Sequence, residues 1–209
     1  MTHDRATLQF YDREAAAYGA RSDGIGASKP LTAFLATLAQ GATVLDLGCG
    51  TGRDTQAIIA AGFTVTAIDG RAEMAREAEK RTGRAVRVLL FEDLDYLEAF
   101  AGIWASSLLH VPRAHLSQVL GAVHRALKPN GLLFATFKSG GKEGRNKLGR
   151  YYNYLNADEA TALLREAGEW SSIDPREGRG KGYDGTETGW VEVFARKSPD
   201  GASGRAALD

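Results

Sequence analysis

Apolar and polar positions divide the chain into two opening helices followed by short apolar runs that alternate with helical stripes. Residues 4–20 carry Leu8, Tyr11, Ala15 and Tyr18 along one side, with Asp4 placed as a cap. After the loop Arg21–Gly26, Pro30 opens a second helix through Ala39 whose apolar face is Leu31, Phe34, Leu35 and Leu38. Nearly continuous apolar runs then predict strands at 43–47, 63–68, 86–90, 102–107 and 131–137, the pattern of strands covered on both faces. Helical spacing separates them at 53–61, 71–81 and 113–127, the last closed by Lys128-Pro129-Asn130-Gly131. A final helix near 157–167 ends at Gly168, and two short strands near 170–174 and 189–196 suit an antiparallel hairpin at a sheet edge. Alternation of this kind predicts an α/β domain with a right-handed, mostly parallel sheet of seven strands. The expected organisation is an N-terminal helical cap over 1–40, lying across one end of the sheet, a main domain over 41–197, and a disordered tail over 198–209.

Composition narrows the function classes. With 26 Lys and Arg against 26 Asp and Glu, formal net charge is zero, which removes the basic field expected of a nucleic-acid binder. No apolar stretch approaches the roughly 20 residues needed to span a bilayer, and no signal-peptide pattern opens the chain. A single cysteine excludes an intramolecular disulfide. The expectation is a cytoplasmic monomer or homodimer without a membrane, nucleic-acid or metal partner.

The most informative stretch is Val44-Leu45-Asp46-Leu47-Gly48-Cys49-Gly50-Thr51-Gly52-Arg53-Asp54-Thr55. An apolar run carrying an acid stops in three glycines at alternate positions, and a helical stripe follows at once. Glycine accepts positive φ and leaves no Cβ between the chain and a ligand, as a nucleotide-like ligand over a strand-to-helix turn requires. A second acid, Asp69, ends the next apolar run, from where a carboxylate reaches ribose hydroxyls. A dinucleotide fingerprint reads G-x-G-x-x-G, whereas glycines 48, 50 and 52 read G-x-G-x-G with Asp46 two residues ahead.

That pattern resembles motif I of the class I, Rossmann-like S-adenosylmethionine (SAM) methyltransferases. The resemblance extends to Asp69, to the run Gly102–Pro112 as fourth strand and following loop, and to Leu127–Phe137 as helix stop, turn and fifth strand, covering roughly residues 40 to 196. It implies a three-layer Rossmann-like sandwich ending in a C-terminal antiparallel hairpin strand. It also implies a cofactor site between the first and fourth strands. There Asp46 engages the methionine end of SAM, directly or through water, Gly48 and Gly50 let backbone groups approach that end, Gly52 lets the helix start close by, and Asp69 accepts from both ribose hydroxyls. Cys49 is a small residue in that tight loop, Gly70 follows the ribose acid, and Ser106 ends the fourth-strand run. The loop Leu90–Leu94 takes the adenine position, with backbone at Phe91 and Glu92 supplying the contact in place of the acid many relatives carry where Leu90 stands. Three assignments stay open between ligand and structure: Met74 on the adenine face or in helix packing, Arg53 on the methionine carboxylate or at a solvated helix start, and Tyr11 with Tyr18 as a lid or as packing.

SAM carries an activated methyl group, so displacement asks the protein mainly for proximity, orientation and removal of water. A base is needed only for a protonated acceptor, and His110, after the fourth strand, is the candidate; a structural hydrogen bond is its alternative. His115 and His124 read as surface residues. The glycine- and base-rich segment from Lys138 to Arg150, followed by Tyr151, Tyr152 and Tyr154, stays open between a lid whose inward Lys138, Arg150 and Tyr152 would hold an anionic or aromatic acceptor and a solvated mobile loop whose tyrosines pack on the core; Arg176–Lys181, in the hairpin loop, would extend the same rim. Trp104–Pro112 and Gly149-Arg150-Tyr151-Tyr152 look most like small bacterial methyltransferases of the tellurite-resistance type, pointing to a small-molecule acceptor. Two other classes remain: a SAM-binding protein without catalysis, and an NAD-dependent oxidoreductase.

Overall fold

The computed structural model describes residues 3–22, 24 and 26–199. The expected tail therefore lies outside the described residues from position 200 onward. Seven strands make one sheet: β1 (Thr43–Leu47), β2 (Thr64–Asp69), β3 (Val86–Val88), β4 (Phe100–Ala105), β5 (Leu127–Ser139), and the last pair, β8 (Trp170–Lys181) and β9 (Glu187–Lys197). Their order is β3-β2-β1-β4-β5-β9-β8. The first five run parallel, while β9 is antiparallel to both β5 and β8. Strand order thus reverses between β1 and β4, where the pairs Val44↔Gly102 and Asp46↔Trp104 adjoin, and a ligand crevice opens beyond their carboxyl ends.

Period-two alternation sorts the core. Leu45, Leu47, Ile103, Ala105, Leu133 and Ala135 point to the layer of α5 (Arg113–Ala126) and α6 (Ala157–Ala167), whereas Val44, Trp104, Leu132 and Phe134 point to α2 (Lys29–Ala36) and α3 (Arg53–Ala60). Trp104 stacks on Phe134 at 3.9 Å. A Cβ on Gly102 would lie 2.7 Å from Phe34 Cζ and Leu38 Cδ1, so the glycine is what lets α2 seat on β4. The second helix therefore covers a sheet face rather than the cleft end expected from sequence. Only α1 (Arg5–Arg21) reaches the cleft, packing beside α4 (Ala72–Thr82). Asp4 caps α1 by accepting from Thr7 N–H at 2.8 Å.

Several boundaries differ from expectation. Helix α5 stops at Ala126, and Leu127 already pairs with Phe100, so the Lys-Pro-Asn-Gly segment is extended chain entering β5, with Asn130 at φ 61°. The closing hairpin is much longer than predicted: its register runs to Lys181↔Glu187, placing Arg176–Lys181 within β8 and not in the loop. The expected lid is also partly regular. Lys138 and Ser139 finish β5, and β6 (Gly144–Arg145) pairs with β7 (Tyr151–Tyr152). Among the described residues, no helix is long and apolar enough to cross a membrane.

Candidate active site

The cleft floor is set by backbone. Gly48 and Cys49 N–H both donate to Ile68 O, at 2.8 and 2.9 Å, which pins the glycine loop to the end of β2. Glycines 48, 50 and 52 hold φ of 77°, 56° and 79°, a region that costs other residues strain. At Gly48 space is also decisive: a Cβ would sit 1.8 Å from Ser107 Oγ and 3.1 Å from Phe91 Cζ. Gly52 faces away from the cleft, where a Cβ would press at 3.0 Å on the Ala78 backbone, so its work is the close approach of α3 to α4.

The two acids take different positions. Asp69 borders the cleft and accepts from Gly50 N–H (2.8 Å) and Arg71 N–H (2.9 Å), leaving lone pairs on both oxygens. Burial raises its pKa to about 6 against the pull of those two donors. Asp46 does not line the cleft: it is 2% exposed beneath the glycine loop and accepts from Thr55 Oγ1 at 2.6 Å. Burial, then the neighbouring Asp54, raises its pKa to about 8. Asp54 is itself fixed by Trp104 Nε1–H at 2.9 Å and by Arg53, whose Nε and Nη2 donate to it at 2.8 and 3.0 Å. The Nε–Nη2 edge of Arg53 is thereby engaged by Asp54, while the residue itself lines the cavity.

Of the remaining sequence-predicted cofactor residues, Cys49, Gly70, Met74, Phe91, Glu92, Ser106, Tyr11 and Tyr18 all line the same cavity, which has a volume of about 250 Å³. Burial pushes the Cys49 thiol far up, which makes it an inert filler. Leu90, Phe91 and the buried Met74 make an apolar slot beside Asp69, while the Glu92 carboxylate is met by His3 Nδ1 at 3.2 Å.

The far end of the cavity gathers His110, Lys138, Arg150 and Tyr152, the predicted acceptor residues, from three segments. Asn153 brings them together. Its N–H donates to Leu109 O (3.0 Å) and its Nδ2 to Leu108 O and Val111 O (2.9 and 3.1 Å), fastening β7 to the turn that carries His110. His110 Nδ1 lies 2.6 Å from Tyr151 O. A carbonyl can only accept, so Nδ1 carries the proton and Nε2 receives the Tyr11 hydroxyl at 2.8 Å. Burial holds the imidazole neutral, with its pKa lowered to about 4.

Sequence reading missed Phe10, Tyr183 and Trp190. Trp190 is the cross-strand partner of Lys138, a consequence of the β5–β9 register. Tyr183 sits on the hairpin turn beyond the last β5–β9 pair, stacks on Tyr18 at 5.0 Å and donates to Glu14 Oε2 at 3.2 Å, so that α1 and the hairpin tip meet over the cavity. The aromatic at a glycine-flanked turn, Gly182-Tyr183-Asp184-Gly185, was the available signal. His124, read as a surface residue, packs edge-on against Trp170 at 4.9 Å and bonds Glu169 O at 3.0 Å.

A sheet of this order, with a glycine turn after β1 and an acid closing β2, makes a three-layer Rossmann-like sandwich with a C-terminal antiparallel pair. Residues 44–131 match the family model of a methyltransferase domain. An uncharacterised methyltransferase of Synechocystis is 35% identical over 98 residues, 46% of this chain and 46% of its own length. The ubiquinone biosynthesis O-methyltransferase of Pseudomonas syringae pv. tomato is 37% identical over 102 residues, 45% of this chain and 43% of its length. The chain thus spans just under half the length of these curated relatives. Among solved structures, the Burkholderia thailandensis 1,6-didemethyltoxoflavin N1-methyltransferase, with 1,6-didemethyltoxoflavin and S-adenosylhomocysteine bound, superposes with a TM-score of 0.70 at 26% identity, over 95% of this chain and 91% of that one.

Proposed function

We propose that the protein is a SAM-dependent methyltransferase acting on a small-molecule acceptor. The observation that carries the reading is the paired cradle: an Asp69 carboxylate oriented by two backbone N–H groups, beside Gly48, where a side chain cannot be accommodated. These residues fit a ligand that brings ribose hydroxyls to the acid and a polar chain across the glycines. Leu90, Phe91 and Met74 offer flat apolar walls to an adenine, with backbone at Phe91 and Glu92 for its polar edge. When bound, SAM supplies a methyl group on a sulfonium leaving group. Asp46 acts from beneath, by holding the first turn of α3 to β1 through Thr55.

The protein's own contribution at the acceptor end is exclusion of water and orientation. Tyr11 and Tyr18 on α1 and Tyr183 on the hairpin tip form the roof. His110 acts through Tyr11: a proton arriving at the Tyr11 oxygen displaces the hydroxyl proton to His110 Nε2. With a pKa of about 4 the imidazole is a weak proton acceptor at neutral pH, so the pair favours an acceptor that arrives already deprotonated. The same cavity runs on past the cradle to Lys138, Arg150 and Tyr152, which favours catalysis over SAM binding alone. The likeness of Trp104–Pro112 and Gly149–Tyr152 to the tellurite-resistance type supports a small acceptor.

Calorimetric titration with SAM, S-adenosylhomocysteine and NAD, on wild type and Asp69→Ala, tests the reading. SAM and S-adenosylhomocysteine are expected to bind, and Asp69→Ala to weaken both. Binding of NAD alone, or of none of the three, would overturn it.

A further inference from the structure

We infer that the methyl acceptor is a flat-ringed carboxylate whose charge is paired by Arg150 with help from Lys138; this rests on the methyltransferase reading, because SAM must occupy the cradle end of the cavity. Arg150 is 1% exposed, yet its Nε and Nη2 have no hydrogen-bond partner, and neither it nor Lys138 forms an ion pair among the described residues. Its remaining nitrogen, Nη1, reaches only the Tyr11 hydroxyl, at 3.4 Å. A buried cation with unused donors is costly unless a counter-charge arrives. Here the unused donors lie on one edge of the guanidinium, the edge that grips both oxygens of a carboxylate.

Lys138 doubles the demand. It is 4% exposed, with its Nζ 4.1 Å from the Tyr152 ring centre and 5.7 Å from that of Trp190. Arg150 stands over the other rings, 4.9 Å from Phe10, 5.0 Å from Tyr183 and 5.4 Å from Tyr152. The nearby acid, Asp184, is exposed and already bonded to Thr186 N–H and Asn146 Nδ2, leaving two buried cations against one solvated carboxylate. Aromatic walls select a flat body, and the unmatched positive charge selects an anion.

The alternative source of a carboxylate is the methionine end of the cofactor, and the test separates the two. The full chain, saturated with S-adenosylhomocysteine, is titrated calorimetrically with 2-naphthoate and with neutral 2-naphthylmethanol. The anion is expected to bind at least tenfold more tightly, Arg150→Gln to abolish that preference, and Lys138→Gln to reduce it about threefold, with S-adenosylhomocysteine affinity in both variants within threefold of wild type. Equal or weaker binding of the anion, binding of neither ring, or a preference surviving Arg150→Gln would overturn the inference. So would a tenfold loss of S-adenosylhomocysteine affinity in Arg150→Gln with 5′-methylthioadenosine, which lacks the carboxylate, unaffected. Should Arg150→Gln fail to fold, the wild-type comparison and Lys138→Gln decide alone. Failure of S-adenosylhomocysteine to bind wild type would overturn both readings, whereas failure of the naphthoate preference alone leaves the methyltransferase reading standing.

Discussion

On the β1–β2 side of the cleft, the polar work is done by backbone N–H groups and one carboxylate drawn from residues 46 to 71, with Gly48 and Gly50 keeping the floor bare. On the β5–β9 side, two cations and four rings converge from α1, β5, β7, β9 and the hairpin tip, and β7 is tied to the His110 turn by three hydrogen bonds from Asn153 and by His110 Nδ1 on Tyr151 O. The first half, the proposed cofactor end, is built from parts fixed by backbone angle at Gly48 and Gly50 and by steric conflict at Gly48. The second half is assembled from surface segments whose side chains can change without disturbing the sheet. A cofactor end held by geometry and an acceptor end held by charge and ring faces should therefore respond differently to perturbation.

The sharpest break is expected at Gly48→Val. Positive φ alone costs about 1–3 kcal/mol, and the overlap with Ser107 adds to it; S-adenosylhomocysteine binding should fall below calorimetric detection, with a lowered Tm. Near-normal affinity would show that the floor is softer than described. Next, Asp69→Ala should weaken S-adenosylhomocysteine roughly 30- to 100-fold, about 2–3 kcal/mol, typical of losing charged hydrogen bonds. Because burial raises the Asp69 pKa to about 6 and the ionised form is the stronger acceptor for ribose, wild-type affinity should be flat above about pH 7 and fall as pH drops through 6, a dependence absent from Asp69→Ala.

His110 gives the acceptor half its own pH signature. Its folded pKa of about 4 lies below the unfolded value near 6.5, so its contribution to stability is complete above pH 6.5 and is lost as pH falls towards 4. Urea denaturation should show wild type losing roughly 2 kcal/mol more than His110→Asn between pH 6.5 and 4.5. Equal slopes would mean that His110 takes up its proton as readily folded as unfolded. The smallest effect belongs to Arg145, which joins α1 to the β6–β7 hairpin by contacts to Asp4 at 2.5 and 2.7 Å. It is half exposed and screened, so Arg145→Ala should change stability by no more than about 0.5 kcal/mol, less in high salt, as a thermal melt would show.

The cofactor half was legible because its signals are local. The glycines at 48, 50 and 52 and the acid at 69 sit at strand ends that alternation alone predicts, and the structure puts Gly48, Gly50 and Asp69 against one cavity. Resemblance gave Asp46 the methionine end, directly or through water; strand parity turns its side chain to the α3 layer, where Thr55 bonds it. On the acceptor side, Lys138, Arg150 and Tyr152 stood out as basic and aromatic residues in a long segment, yet nothing in their order says that they face Phe10, Tyr183 and Trp190.

Sequence determined what depends on neighbours along the chain: the strand–helix alternation, the capping of α1 by Asp4, and the glycine turn whose backbone angles only that residue adopts at little cost. Tertiary structure decided what depends on register and on meetings between distant segments. The β5–β9 pairing sets Trp190 beside Lys138, the overhanging hairpin carries Tyr183 to Tyr18, and their closure leaves Arg150 buried without a counter-ion among the described residues. Local steric rules act within a few residues and can be read from their order. Burial and charge pairing exist only once the chain has brought separate segments into contact.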